Sequence, residues 1–408
     1  GASSWGGLVG SHAGGRRKAP QCAARGGARG HALALSAARI AMPSPSWVAA
    51  AALAAFRPCA AAPSCEGGLG DGTCLADASL QSATLVFLHL VSDDERHHAP
   101  LEWQRPSGDC RLRADGGFAE EQRRSNMDGF RRLLPDLKAN FLERFPYPVT
   151  LFYSPFEGAQ QDLQEFRDLL GDTPVEAVSL PSFGRENFYP PLRDNYSSFE
   201  NPCRTDAAFH KGGHCSWYHF SYKQMNYIFM YAMFFDTPAL SKYRYWLRVD
   251  AEIWLTEPII EDPFALMARS DWVFSYRLEP QMKNVACNRD LPAAVRSFAE
   301  SRGIEPRDRG FFERYLNGTA CFIGNIGAGQ VSFFRSEKYR SLVEFVLGTG
   351  NVWTLRWDDQ HMYAMAVALF STGEHIGRLP IRVCHRVEDD CDHHLEPSLA
   401  ARQAARGS

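Results

Sequence analysis

Apolar positions along this chain fall into two patterns, short continuous runs and longer stretches with one apolar face. Ala83 to Val91 (ATLVFLHLV) is apolar almost throughout and of strand length, as expected of a strand covered on both sides. Tyr147–Ser154 reads as the next strand and Val175–Leu180 as a third. Between them, Met127–Phe145 carries Phe130, Leu133, Leu134, Leu137 and Phe141 at helical spacing, and Pro135 predicts a kink or two shorter helices. Ala159–Gly171 reads as a helix closed by glycine. Strand, helix, strand, helix, strand predicts a parallel sheet with helices on its faces. The polar stretch Ser92 to Arg124 reads as a loop.

The pattern continues beyond a loop-like segment, Pro181–Ser216. Tyr218–Phe235 is a long apolar helix, Tyr243–Val249 a fourth core strand and Asp271–Glu279 a further strand. A short helix follows Asp262, and another covers Leu291–Gly303. Val331–Ser336 reads as a strand, with Gly324–Gly329 before it as a flexible turn or a point of close backbone approach. Two helices close the domain, the second opened by Asp358 or Asp359 as N-cap. The expected fold is α/β, a mixed and mostly parallel central sheet with helices on both faces.

Composition narrows the setting. A formal net charge of -3 over 408 residues gives no support to nucleic-acid binding. The 11 cysteines are scattered with no C-x-x-C pair, which argues against a zinc ribbon. Together with two N-glycosylation acceptors, Asn195-Tyr-Ser197 and Asn317-Gly-Thr319, they fit an oxidising compartment of the secretory pathway. Residues 1–80 are rich in Ala, Gly, Ser, Pro and Arg and read as a disordered, targeting or stalk segment. Within it, Trp47–Phe56 resembles a signal-peptide core or short signal anchor, with an Ala-rich linker as the alternative. A catalytic domain is expected over 81–395, and a flexible tail over 396–408.

The candidate chemistry lies at the end of the fourth strand. In an open α/β sheet, ligands bind beyond the carboxyl ends of the strands. Asp250 and Glu252 follow Val249 there, one residue apart, which in extended chain puts both carboxylates on one side. Two hard oxygen ligands suit Mn²⁺ or Mg²⁺ with a diphosphate completing the shell. The same string fits a strand that simply ends in solvent.

Five ordered segments carry a resemblance. YRYWLRVDAEIWLTEPIIEDPFALM (Tyr243–Met267) resembles the Y-Y-W-R-V-E-P … D-P-F region of the fungal-type α-1,2-mannosyltransferases, glycosyltransferase family 15. Ser221–Met225 resembles that family's S-Y-R-x-M, and Phe333–Tyr339 its F-F-R-S-x-x-Y. Arg356–Asp359 resembles R-W-G-D, and His385–Cys391 its late H-x-P-x-x-x-C.

The resemblance implies a GT-A fold and a retaining transfer of mannose from GDP-mannose, with Mn²⁺, to a glycan or glycoprotein hydroxyl. It also implies a Golgi-lumen enzyme, with a possible N-terminal membrane anchor. Carried over residue by residue, it assigns Asp250 and His385 to the metal, with Glu252 through water. Tyr222 and Arg248 are assigned to the phosphates, and Asp359, with Arg248, to catalysis near the sugars. Trp353 and Trp357 are candidates for stacking on acceptor sugars. One departure stands out. The family's nucleophile candidate, the Glu of N-F-E, falls on Gly327, with Asn325 at its Asn. A front-face reaction, a different donor such as UDP-galactose, and an inactive glycan-binding or scaffold member all remain open.

Overall fold

The computed structural model describes residues 82–104, 109–181, 183–201, 219–277, 288, 290–317, 322, 325–355, 357–385 and 387–391. The chain divides into two compact units, Gly1–Asp71 and Gly72–Ser408. The first lies wholly outside the described residues, and so do the expected stalk, the Trp47–Phe56 segment and the 396–408 tail. Among the described residues no helix is long and apolar enough to cross a membrane.

The strands, in chain order, are β1 (Ala83–His89), β2 (Leu101–Gln104), β3 (Asp109–Leu112), β4 (Val149–Tyr153), β5 (Val175–Ser179) and β6 (Tyr245–Val249). They continue with β7 (Ile253–Leu255), β8 (Phe274–Tyr276), β9 (Ile326–Gln330), β10 (Ile376–Arg378), β11 (Val383–His385) and β12 (Val387–Cys391). The central sheet has seven strands in the order β10-β8-β9-β6-β1-β4-β5. Only β9 runs against its neighbours, β6 and β8; the other pairs are parallel. This is the mixed, mostly parallel α/β sheet expected from the sequence.

Two apolar layers form because alternate residues of each strand face opposite sides. In β6, Tyr245, Leu247 and Val249 join the layer made by helices Phe118–Leu137 and Ala159–Leu170, where Phe130 and Phe166 pack edge-on. Trp246 joins the other layer, with Phe234, Phe334 and Tyr363. Arg248 lies on that same face with 2% exposure, a charge inside the core layer near the carboxyl end of the central strand β6.

Three expectations about elements are corrected. The stretch read as a loop, 92–124, holds a turn of 3-10 helix (Glu95–His97), the β2–β3 hairpin and the start of helix Phe118–Leu137. That helix begins nine residues before Met127 because Glu95 caps it from a distance, accepting from Phe118 N–H at 2.6 Å and Ala119 N–H at 3.1 Å. It also runs through Pro135 unbroken and then widens into a π turn, Lys138–Leu142. Finally, Val331–Phe334 is a helical turn, and the glycine-rich run before it is the strand β9. Gly329 is required there by close approach. A Cβ would stand 2.5 Å from the Phe334 ring and 2.9 Å from Trp246 Nε1.

Candidate active site

At the carboxyl end of β6 the chain turns through Asp250, Ala251 and Glu252 into β7. The two carboxylates are therefore on a turn, not in extended chain as the spacing suggested. Asp250 N–H donates to the Asn325 carbonyl at 2.9 Å, which ties the turn to the start of β9. Helix Phe118–Leu137 presses on it from the other side. Gly129 makes that approach possible, since a Cβ there would lie 2.5 Å from the Ala251 carbonyl oxygen.

His385 reaches the turn through a second sheet. β7 pairs antiparallel with β11, and the register sets His385 opposite Ile253, beside Glu252. His385 Nε2 stands 3.6 Å from a Glu252 carboxylate oxygen. Cys384, its neighbour, is disulfide-bonded.

These groups open onto a cavity of about 720 Å³, within the usual range for a small-molecule site. Its walls include Tyr222, Arg248, Asp250, Glu252, Asp359 and His385, so the fold brings together all six residues singled out in the sequence. Gly327 is not among the lining residues, whereas Asn325, His219, Asn126 and Gln360 are.

Charge sets the character of the cavity. Arg248 is buried and donates through Nε to Asp250 at 2.7 Å and through Nη1 to Asp359. Its guanidinium also lies 3.6 Å from the centre of the Phe229 ring. Burial alone would lower the Arg248 pKa, but Asp250 and Asp359 outweigh it and hold the group above its ordinary value. Both carboxyls nevertheless stand above their own ordinary range. Burial pushes Asp359 up to about 6 against the opposing pull of Arg248. Burial also raises Asp250, with Glu252 adding to the rise and Arg248 and His385 opposing it. The two trends agree once charges are counted. One guanidinium between two carboxylates is over-compensated, and each carboxylate is under-compensated. Glu252 adds a further negative group and Arg277, also buried in the lining, a second guanidinium, so three carboxylates stand against two buried bases.

Asp358, not Asp359, caps helix Asp359–Phe370, accepting from His361 N–H at 3.0 Å. Asp359 is thereby released to Arg248. Trp353 and Trp357 are 0% and 1% exposed, with the Trp353 ring 4.5 Å from that of Phe188, so they are core residues and cannot stack on a sugar. Arg356 of the same motif lies outside the described residues.

Sequence reasoning missed a polar group outside the cavity lining, because it lies in the two stretches read as loops, 92–124 and 181–216. Asp94, His97 and Glu200 have atoms close enough together to hold one ion. Arg96 bridges these carboxylates, at 2.5 Å to Asp94 and 3.4 Å to Glu200. Asn325, marked in the sequence only as the Asn of N-F-E, lines the cavity, and its Oδ1 is buried with no hydrogen-bond partner among the described residues.

The family profile described as glycolipid 2-alpha-mannosyltransferase matches residues 90–380. The chain belongs to this glycosyltransferase family. The matched span contains five of the six site residues, and His385 lies just past its end. The chain is similar to O-glycoside alpha-1,2-mannosyltransferase homolog 4 of Schizosaccharomyces pombe, 22% identical over 307 residues that cover 65% of this chain and 67% of that protein. It is also similar to O-glycoside alpha-1,2-mannosyltransferase omh1 of the same organism, 24% identical over 181 residues that cover 39% of this chain and 45% of that protein. Among solved structures, core-mannan synthase A from Aspergillus fumigatus, in its Mn/GDP form, superposes with a TM-score of 0.56 at 16% identity. That match covers 81% of this chain and 82% of the other. The mannosyltransferase Ktr4p from S. cerevisiae in complex with GDP gives 0.55 at 18% identity, covering 79% and 78%. At such identities the likeness is one of fold. It places this glycolipid 2-alpha-mannosyltransferase family member among GT-A-like transferases, in line with its sheet order.

Proposed function

We propose that this protein is a metal-dependent mannosyltransferase of the GT-A type. It moves mannose from GDP-mannose to a hydroxyl of a glycan or glycoprotein with retention at the anomeric carbon. The observation that carries the reading is the grouping of three carboxylates, Asp250, Glu252 and Asp359, on the wall of a cavity of nucleotide-sugar size, with His385 3.6 Å from Glu252, in a chain of this family. The two solved relatives hold GDP, one of them with Mn.

Asp250 and His385 offer one carboxylate and one imidazole, a donor set that Mn²⁺ accepts, with Glu252 beside them. The raised carboxyls of Asp250 and Asp359 fit a cation too, since a positive charge would restore both. When bound, the ion neutralises charge on the departing diphosphate. Arg248 keeps Asp250 and Asp359 fixed at the cavity wall, and Tyr222 faces the space from the helix that starts at Phe220. Asp359 holds the sugar by accepting from its hydroxyls.

Gly327 leaves no carboxylate at the family's nucleophile position. The proposed route is therefore front-face attack. The acceptor oxygen bonds to the anomeric carbon on the side from which the diphosphate leaves, and a diphosphate oxygen takes the hydroxyl proton.

The bonded Cys384 supports an oxidising compartment, and we place the enzyme in the Golgi lumen. A second reading, a glycan-binding member without turnover, is favoured by Gly327 alone. Release of GDP from GDP-mannose in the presence of Mn²⁺, measured against UDP-galactose and other sugar nucleotides, decides between them. Turnover of GDP-mannose alone supports the enzyme, turnover of another donor reassigns the sugar, and no turnover leaves the binding protein.

A further inference from the structure

His219 lines the cavity and stands at the end of a chain of hydrogen bonds whose directions can be worked out one by one. Ser92 N–H donates to His98 Nε2 at 2.9 Å, so that nitrogen carries no proton. The His98 proton therefore sits on Nδ1, 2.8 Å from Ser221 Oγ, and is donated to it. The Ser221 hydroxyl hydrogen is then directed to His219 Nδ1, 2.7 Å away. Tyr222 N–H donates to the same nitrogen at 3.2 Å, which also caps the helix that begins at Phe220. His219 Nδ1 is an acceptor twice over, and its proton is fixed on Nε2. Burial, helped by Lys223, lowers the His219 pKa to about 4, and burial lowers that of His98 to about 3, so both rings are neutral at physiological pH.

We infer that His219 is an uncharged hydrogen-bond donor to a diphosphate oxygen of the sugar nucleotide, with Ser221 and His98 as positioning residues that set its tautomer. This rests on the nucleotide-sugar reading above. A ring locked in this way donates from Nε2 and cannot accept there. It selects an atom that only accepts, and a phosphate oxygen is that atom at neutral pH. A sugar hydroxyl, which donates as well as accepts, is recognised less sharply. A neutral donor also adds no positive charge beside the carboxylates of the β6 turn.

The test combines a spectrum with a titration on the full chain. Selective ¹⁵N labelling of histidine reports the tautomer of the ring nitrogens. The His219 signals, assigned by their loss in His219→Asn, should show the Nε2–H form. Ser221→Ala should mix the two tautomers, and Ser221→Thr should restore one. Asn at 219 can still cap the helix, so this variant separates the donor from the fold. With Mn²⁺ present, His219→Asn should weaken GDP about ten- to hundredfold, the worth of one hydrogen bond to a charged group, and leave guanosine unchanged. An Nδ1–H tautomer in the wild type, or equal GDP affinity in His219→Asn, overturns the inference. Loss seen with GDP-mannose but not with GDP overturns the phosphate assignment. A wild-type chain that binds no GDP overturns the nucleotide reading instead, and the ring spectrum still decides the tautomer.

Discussion

Arg248, on the last turn-facing position of β6, donates to Asp359 at the start of helix Asp359–Phe370, joining segments 111 residues apart. Both side chains are nearly sealed from solvent, at 3% and 2% exposure. The same guanidinium also holds Asp250. One buried cation thus fixes two of the carboxylates that face the cavity.

An order of effects follows from that count of charges. Arg248→Met leaves two carboxylates without their cation and should cost about 3–5 kcal/mol of unfolding free energy. Asp359→Asn removes one of two acids competing for one base and should cost markedly less. Urea denaturation of the single and double variants, read as a double-mutant cycle, checks both the order and the coupling. Equal losses would argue against an acid surplus.

A second network supports the cavity wall and gives a pH signature. Asp162 accepts from Arg123 at 2.9 and 2.6 Å and lies 2.9 Å from His89 Nε2 at the end of β1. Burial works to raise the Asp162 pKa, but Arg123 and then His89 prevail and hold it at about 2. The folded value lies below the unfolded one, so the stabilisation is complete above about pH 4 and is lost as pH falls toward 2. It amounts to about 2 kcal/mol. Asp162→Asn should lower stability at pH 7 by about that amount and flatten the stability curve between pH 4 and 2. An unchanged slope there speaks against the network.

The two glycines of β9 should respond differently to a methyl group. Gly329→Ala drives a Cβ into Phe334 and Trp246 and should cost about 1–3 kcal/mol. At Gly327 the nearest atoms to a new Cβ are 3.5 Å away, an ordinary contact, so Gly327→Ala should cost less than about 1 kcal/mol. Thermal unfolding of the pair checks the contrast. Comparable losses at both positions would mean that β9 packs otherwise.

Much of the fold was legible because β1, β4 and β6 are largely apolar runs, β5 is a short segment between turn signals, and the covering helices keep a 3.6-residue period. The parallel order came with them. What escaped was set by contacts between distant segments. Glu95 starts a helix 23 residues downstream. β9 is a strand of small residues because two aromatic rings crowd it, and a run of glycines carries no strand signal of its own. At the site, Asp250 was marked by its place after a buried strand, and His385 by family resemblance. Its approach to Glu252 depends on the β7–β11 register, which no local pattern encodes. Ser221 was marked only as the first residue of the S-Y-R-x-M resemblance, and His98 and His219 not at all; the three acquire a joint meaning only as a hydrogen-bond chain.

Mn²⁺ binding to the full chain, followed by the decline of the free-ion electron paramagnetic resonance signal as GDP is added, tests the central claim most directly. The wild type should take up one ion per chain in the presence of GDP, and Asp250→Ala and His385→Ala should each weaken uptake more than tenfold. Uptake by both variants at wild-type affinity, or none by the wild type, contradicts a metal-diphosphate site at the β6 turn.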